Sequence, residues 1–140
     1  MTVSMYQSLK RICIDIAQNP QIRVAIFRGA GGKSFVSGSD IAQFSSFTNG
    51  QDGVRYEEGI DDYLAPLATL PIPTIAVVDG MAVGGGLAIA SCCDFRISNH
   101  EAKFGVPKHK IYAYFHYLPT YYLLHVHFVH VDRIRDDARE

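Results

Sequence analysis

Apolar positions along the chain fall into helical and strand-like patterns. Met5, Leu9, Ile12, Cys13 and Ile16 share one side of a helical wheel, which predicts an amphipathic helix over residues 4–18. The pair Asn19-Pro20 ends it, because proline disfavours helical backbone in the residue before it. "RVAIF" (23–27) is apolar, partly β-branched and too short for a helix, so it predicts a buried strand, closed by the glycine-rich "RGAGGKS". The polar stretch 45–53 predicts a mobile loop. Tyr56, Ile60, Tyr63, Leu64 and Leu67 then mark one side of a helix over residues 54–70, with Pro66 expected to kink it or end it early. "TIAVV" (74–78) predicts another strand, "GLAIASCC" a short buried helix and "DFRIS" (94–98) a further strand. Helices interleaved with strands argue for an α/β layered fold. No internal repeat is visible.

Composition narrows the class without naming a chemistry. At 140 residues, 48% hydrophobic and 19% charged, the chain is one modest domain able to bury a core. A net charge of -1 provides no field that would draw nucleic acid or an anionic membrane. Cys13, Cys92 and Cys93 form neither a disulfide ladder nor a CxxC metal pair, and they read as buried small hydrophobes in a reducing compartment. No signal peptide precedes the first helix, and the apolar runs are broken by Pro71, Pro73 or glycines. These features predict a soluble, cytoplasmic protein without a membrane partner. After Pro107 the composition shifts: all twelve glycines precede that point and five of the six histidines follow it. Tyr112, Tyr114, Tyr117, Tyr121 and Tyr122 crowd the same region. The chain therefore divides into a core at 1–107 and an aromatic, histidine-rich tail at 108–140. For that tail a linker, a second module and an aberrant end from a shifted reading frame or retained intron all stay open.

The candidate chemistry lies in the glycines. "GAGGKS" is not a P-loop, since the pattern demands glycine where Phe27 stands, and a dinucleotide fingerprint from Gly29 fails at Ser34. Lys33 reads as an exposed turn residue. "VDGMAVGGGLAIAS" places Gly84, Gly85 and Gly86 where a strand runs into a helix. Glycines there can leave backbone N–H groups free at the positive end of the helix dipole, suited to an anion or a developing oxyanion. Close packing of helix on strand explains them equally well. "SFVSGSD" supplies a second candidate donor, the Ser39 N–H, beside a Gly38 that permits tight approach. His125, His127 and His130 lie near one another, but no carboxylate or cysteine stands at a metal-ligand spacing, so no metal is assigned.

"RVAIFRGAGGKSFVSGSDIAQF", "PIPTIAVVDGMAVGGGLAIASCCDFRIS" and the following "AKFGVP" together resemble the enoyl-CoA hydratase/isomerase, or crotonase, family over residues 5–107. The resemblance implies a partial spiral of ββα units with an atypical tail. It also implies an acyl-CoA thioester as substrate, with no other cofactor, and places the protein in acyl-CoA and fatty acid metabolism as a lyase or isomerase. Members stabilise a thioester enolate with two backbone N–H groups, which map to Ser39 and Gly85. Ser37, Ser39, Asp40, Ile41, Ala42, Gly84 and Gly85 would line the coenzyme A cleft, with Asp40 anchoring the loop. The hydratases' two glutamate positions hold Ala88 and Lys108, neither of which can do a carboxylate's work of activating water and returning a proton. The family's opening strand-turn-strand and its C-terminal helices, which build trimers, have no recognisable counterpart, so oligomeric state stays open. Two functions are therefore expected: an enolate-stabilising enzyme whose proton-transfer group is unidentified, or a non-catalytic fragment that binds acyl-CoA weakly or associates with full-length relatives.

Overall fold

A computed structural model describes residues 1–106 and, beyond them, the backbone of two strands at Ile111–His116 and His125–His130. Helix α1, Val3–Gln18, starts where the Thr2 hydroxyl accepts from the Met5 N–H. Its core face is turned from the predicted one. Tyr6 and Cys13 are 0% and 1% exposed with Leu9 packed beside them, while Met5 and Ile12 are half exposed. Leu9 and Cys13 of the predicted face stay inward, and the row 6, 9, 13 replaces Met5 and Ile12 with a tyrosine.

Strands β1 (Ala25–Arg28), β3 (Thr74–Val78) and β5 (Phe95–Ser98) form one parallel sheet in the order β1-β3-β5. Strands β2 (Ser34–Val36), β4 (Met81–Val83) and β6 (Lys103–Gly105) form a second, also parallel, in the order β2-β4-β6. Helix α2, Gly50–Ala68, follows β2, and helix α3, Gly85–Cys92, follows β4. The chain thus writes β1-β2-α2, β3-β4-α3 and β5-β6, each pair stepping from one sheet to the other. This is a mixed α/β partial spiral of ββα units, a repeat carried by topology and absent from the letters. In the tail, β7 (Ile111–His116) and β8 (His125–His130) pair antiparallel. The side chains of that hairpin, the 107/108 boundary, Lys108 and the histidine reading lie outside the described residues.

One loop expectation changes. Within 45–53 the backbone is already organised: a 3-10 helix spans Ile41–Ser46, and α2 begins at Gly50 under a capping box between Asn49 and Asp52. That reciprocal pair satisfies N–H groups at the helix start, which is why α2 opens before its first apolar residue. Three hydrogen bonds from Thr48 and Asn49, with Arg55 alongside, hold the Asp52 carboxyl well below the usual carboxylate range. Pro66 sits in the last turn of α2, where the helix is about to stop; it closes at Ala68, and the Thr69 N–H and hydroxyl both donate to the Ala65 carbonyl.

The core lies between the sheets and helices and includes Tyr6, Phe35, Leu64, Leu67, Val78 and Ile89. Strand β1 is buried on one face only, contrary to expectation. Ala25 is covered, but Ile26 is 62% exposed and lies in register with Ile75 and Phe95, leaving an apolar row on the outer face of the sheet. Cys13 and Cys93 are buried and free, and burial pushes the Cys93 thiol up to about 11. Among the described residues no helix is long and apolar enough to cross a membrane.

A clasp joins the starts of β3 and β5. The Thr74 N–H and hydroxyl both donate to the Asp94 carboxylate at 2.8 Å, and the Asp94 N–H returns a bond to the Thr74 hydroxyl. These bonds hold the Asp94 carboxyl below its ordinary value, those from the Thr74 hydroxyl most strongly. A depressed carboxyl contributes stability that is complete above the unfolded value near 4 and is lost as pH falls towards the folded one. Asp94→Asn is therefore expected to be less stable than the parent at neutral pH, with the gap narrowing below about pH 4. Urea melts across that range check it; a gap that stays constant into acid would count against a charged clasp.

Candidate active site

Parallel pairing of β2 with β4 puts the ends of both strands at the same edge of the sheet, where ligands of parallel α/β sheets characteristically bind. The loop after β2 carries Ser37, Gly38, Ser39 and Asp40, and the turn after β4 carries Gly84 and Gly85. Gly38 takes φ +111°, and a Cβ there would lie 3.4 Å from the Val83 carbonyl, so the loop runs close over β4. Gly84 takes φ 54° as the residue preceding α3, and its N–H donates to the Gly105 carbonyl at 2.8 Å. Gly85 is then the first residue of α3. Its N–H is one of the donors a helix start leaves without an intrahelical partner.

The two loops meet. A Cβ built on Gly85 would lie 3.1 Å from the Ser39 Oγ and 1.9 Å from the Tyr6 Oη. The Tyr6 and Ser39 hydroxyls share a hydrogen bond of 3.0 Å. Among the described residues neither the Ser39 N–H nor the Gly85 N–H has an acceptor, whereas the neighbouring Asp40 N–H donates to the Met1 carbonyl at 2.8 Å. Gly85 cannot be replaced by a larger residue without displacing Tyr6, so close approach and donor exposure are both met at this position.

Asp40 holds the loop. Its carboxylate accepts from the Ala42 N–H at 3.0 Å at the start of the 3-10 helix, and its carbonyl accepts from the Gln43 amide at 2.8 Å. Ile41 is 79% exposed, and Ser37 and Ala42 are exposed beside it, which leaves this side of the loop free to meet a ligand. Ala88 lies one turn into α3 and packs partly against the core, so no carboxylate stands at that position. Lys33 is exposed on the turn before β2, as expected. No cluster of three metal-ligating side chains occurs among the described residues.

Tyr6 was not expected at the site. Its signal in the sequence is a lone tyrosine in a row of apolar helix positions, masked when the helical face is centred on Met5. Burial raises its phenol above the ordinary value, against an opposing contribution from the Ser39 bond, so the group stays protonated.

The family model described as enoyl-CoA hydratase/isomerase matches residues 1–123. The chain is 38% identical over 103 residues to an (E)-benzylidenesuccinyl-CoA hydratase of Thauera aromatica, covering 74% of this chain and 40% of that one. It is 37% identical over 100 residues to a crotonyl-CoA hydratase of Syntrophomonas wolfei, covering 71% and 38%. The crystal structure of an enoyl-CoA hydratase/carnithine racemase from Magnetospirillum magneticum superposes with a TM-score of 0.72 at 37% identity, covering 76% of this chain and 40% of that one. The chain thus spans about two fifths of the length of the curated relatives it matches. A family match over most of the residues, borne by a ββα spiral, assigns the chain to the enoyl-CoA hydratase/isomerase family.

Proposed function

We propose that this chain binds an acyl-CoA thioester at the edge where β2 and β4 end and stabilises its enolate with the Ser39 and Gly85 N–H groups. The observation that supports this reading is that two loops meet at Ser39 and Gly85, each carrying a backbone N–H without an acceptor among the described residues. Donors fixed by backbone cost no reorganisation when charge develops on the thioester oxygen, which is the basis of oxyanion stabilisation. The helix dipole of α3 adds its positive end at Gly85. Relatives whose names specify CoA-thioester hydratases support the substrate class. On adding acetoacetyl-CoA, hydrogen exchange at the Ser39 and Gly85 amides is expected to slow. Unchanged exchange at both amides under saturating ligand would sink the reading.

Ala88 favours a second reading, in which the chain binds acyl-CoA without turning it over. A methyl group can neither activate water nor return a proton to carbon. Product from crotonyl-CoA above a heat-killed control would exclude this reading; amide protection without product would support it.

A further inference from the structure

Three hydrogens near Gly85 have no acceptor among the described residues. Two are the Ser39 and Gly85 N–H groups. The third belongs to the Tyr6–Ser39 hydroxyl pair: two hydroxyls carry two hydrogens, their mutual bond uses one, and no other described bond uses the second. The pair is fixed from below, since Tyr6 is fully buried and its oxygen rests against the Gly85 backbone. A site with three free donor hydrogens favours an electron-rich atom.

We infer that Tyr6 orients the Ser39 hydroxyl as a third, side-chain donor to the thioester oxygen, making Ser39 a double donor and Tyr6 its positioning residue. The inference rests on the proposed enolate site and deepens it. If Tyr6 Oη–H donates to Ser39 Oγ, the serine hydrogen is left for the ligand oxygen, and no proton changes owner. Tyr6 is fully buried and its hydroxyl has no other partner among the described residues, so its hydrogen is satisfied by donating to Ser39 Oγ, whereas the half-buried Ser39 hydroxyl can turn its own hydrogen outwards. The chain would thereby add donor strength where Ala88 has removed a carboxylate, favouring polarisation of the thioester over addition of water.

The test measures the enolate-to-keto ratio of acetoacetyl-CoA bound to the full chain, read by enolate absorbance, with amide exchange at Ser39 and Gly85 reporting occupancy. Ser39→Ala keeps both backbone donors and is expected to lower the ratio about ten- to a hundredfold, the range for a hydrogen bond to a charged group. Tyr6→Phe keeps the ring and is expected to lower it less, because an unoriented serine still donates part of the time. The double variant is expected to be no worse than Ser39→Ala alone, since residues acting through one another do not add. An unchanged ratio in Ser39→Ala with amide protection intact would overturn the inference and leave the enolate site standing. Additive losses in the double variant would overturn the positioning of Ser39 by Tyr6. A parent chain that forms no enolate and protects no amide would overturn the site itself and this inference with it.

Discussion

Gly86→Ala is expected to unfold the chain at temperatures where Gly53→Ala leaves it folded. A Cβ at Gly86 would lie 2.1 Å from the Val36 carbonyl oxygen and 2.8 Å from both the Val36 carbonyl carbon and its Cβ. The first two are main-chain atoms of a paired strand, so no rotamer change relieves the contact; α3 would have to leave β2. Overpacking of this kind costs about 3 kcal/mol or more, set against a total stability of roughly 5–15 kcal/mol. The corresponding fall in Tm is roughly 10 °C or more for a domain of this size. Gly53 lies inside α2 with nothing within 4 Å of its would-be Cβ, so alanine there gains helix propensity of about 1 kcal/mol. Thermal melts followed by circular dichroism compare the two. A Gly86→Ala melt level with the parent would mean that the α3–β2 contact is looser than described.

The second large effect isolates one donor. Gly85→Ala alone should be destabilised, because its methyl would meet the Tyr6 oxygen at 1.9 Å. Tyr6→Phe removes that oxygen and leaves Cζ at 3.3 Å, so the pair of changes should be milder than Gly85→Ala by itself. In this relieved background alanine and proline can be compared at position 85. Proline is tolerated at the first position of a helix, where the N–H it lacks has no helical partner. Gly85→Pro/Tyr6→Phe should therefore fold like Gly85→Ala/Tyr6→Phe and differ at the backbone nitrogen, where a ring carbon replaces the hydrogen. Any enolate-forming turnover is expected to fall by about 10²–10³ from the alanine to the proline variant, the usual cost of one oxyanion donor. Proton exchange from the α-carbon of an acyl-CoA into deuterated water provides the rate. Equal rates in the two variants would remove Gly85 from the chemistry.

Much of this fold could be read from the chain because its elements are locally specified. The strand at Thr74–Val78 and the short helix that starts within the triple glycine fall where their apolar runs place them. What could not be read depends on partners distant in sequence. Strands β2, β4 and β6 are three residues each, too short for any period to register, and exist because they pair with one another. The start of α2 is set by Asn49 and Asp52 rather than by apolar spacing, so a polar stretch concealed a helix cap. At the site, Ser39 and Gly85 were legible as separate donors through their glycines and through family resemblance. Their meeting, and the arrival of Tyr6 between them, required the packing of α1 against both loops.

The clasp between Thr74 and Asp94 bears on the order in which the site is built. It ties residues twenty apart, and the loop it closes holds β3, β4 and α3 complete, with the triple glycine inside. Closures of short sequence separation lose little chain entropy and are reached early in folding. The Tyr6–Ser39 bond spans thirty-three residues. By sequence separation alone, closing the Thr74–Asp94 loop costs less chain entropy than joining Tyr6 to Ser39. The start of α3 is therefore expected to be framed as an open donor before α1 docks and brings the hydroxyls to it.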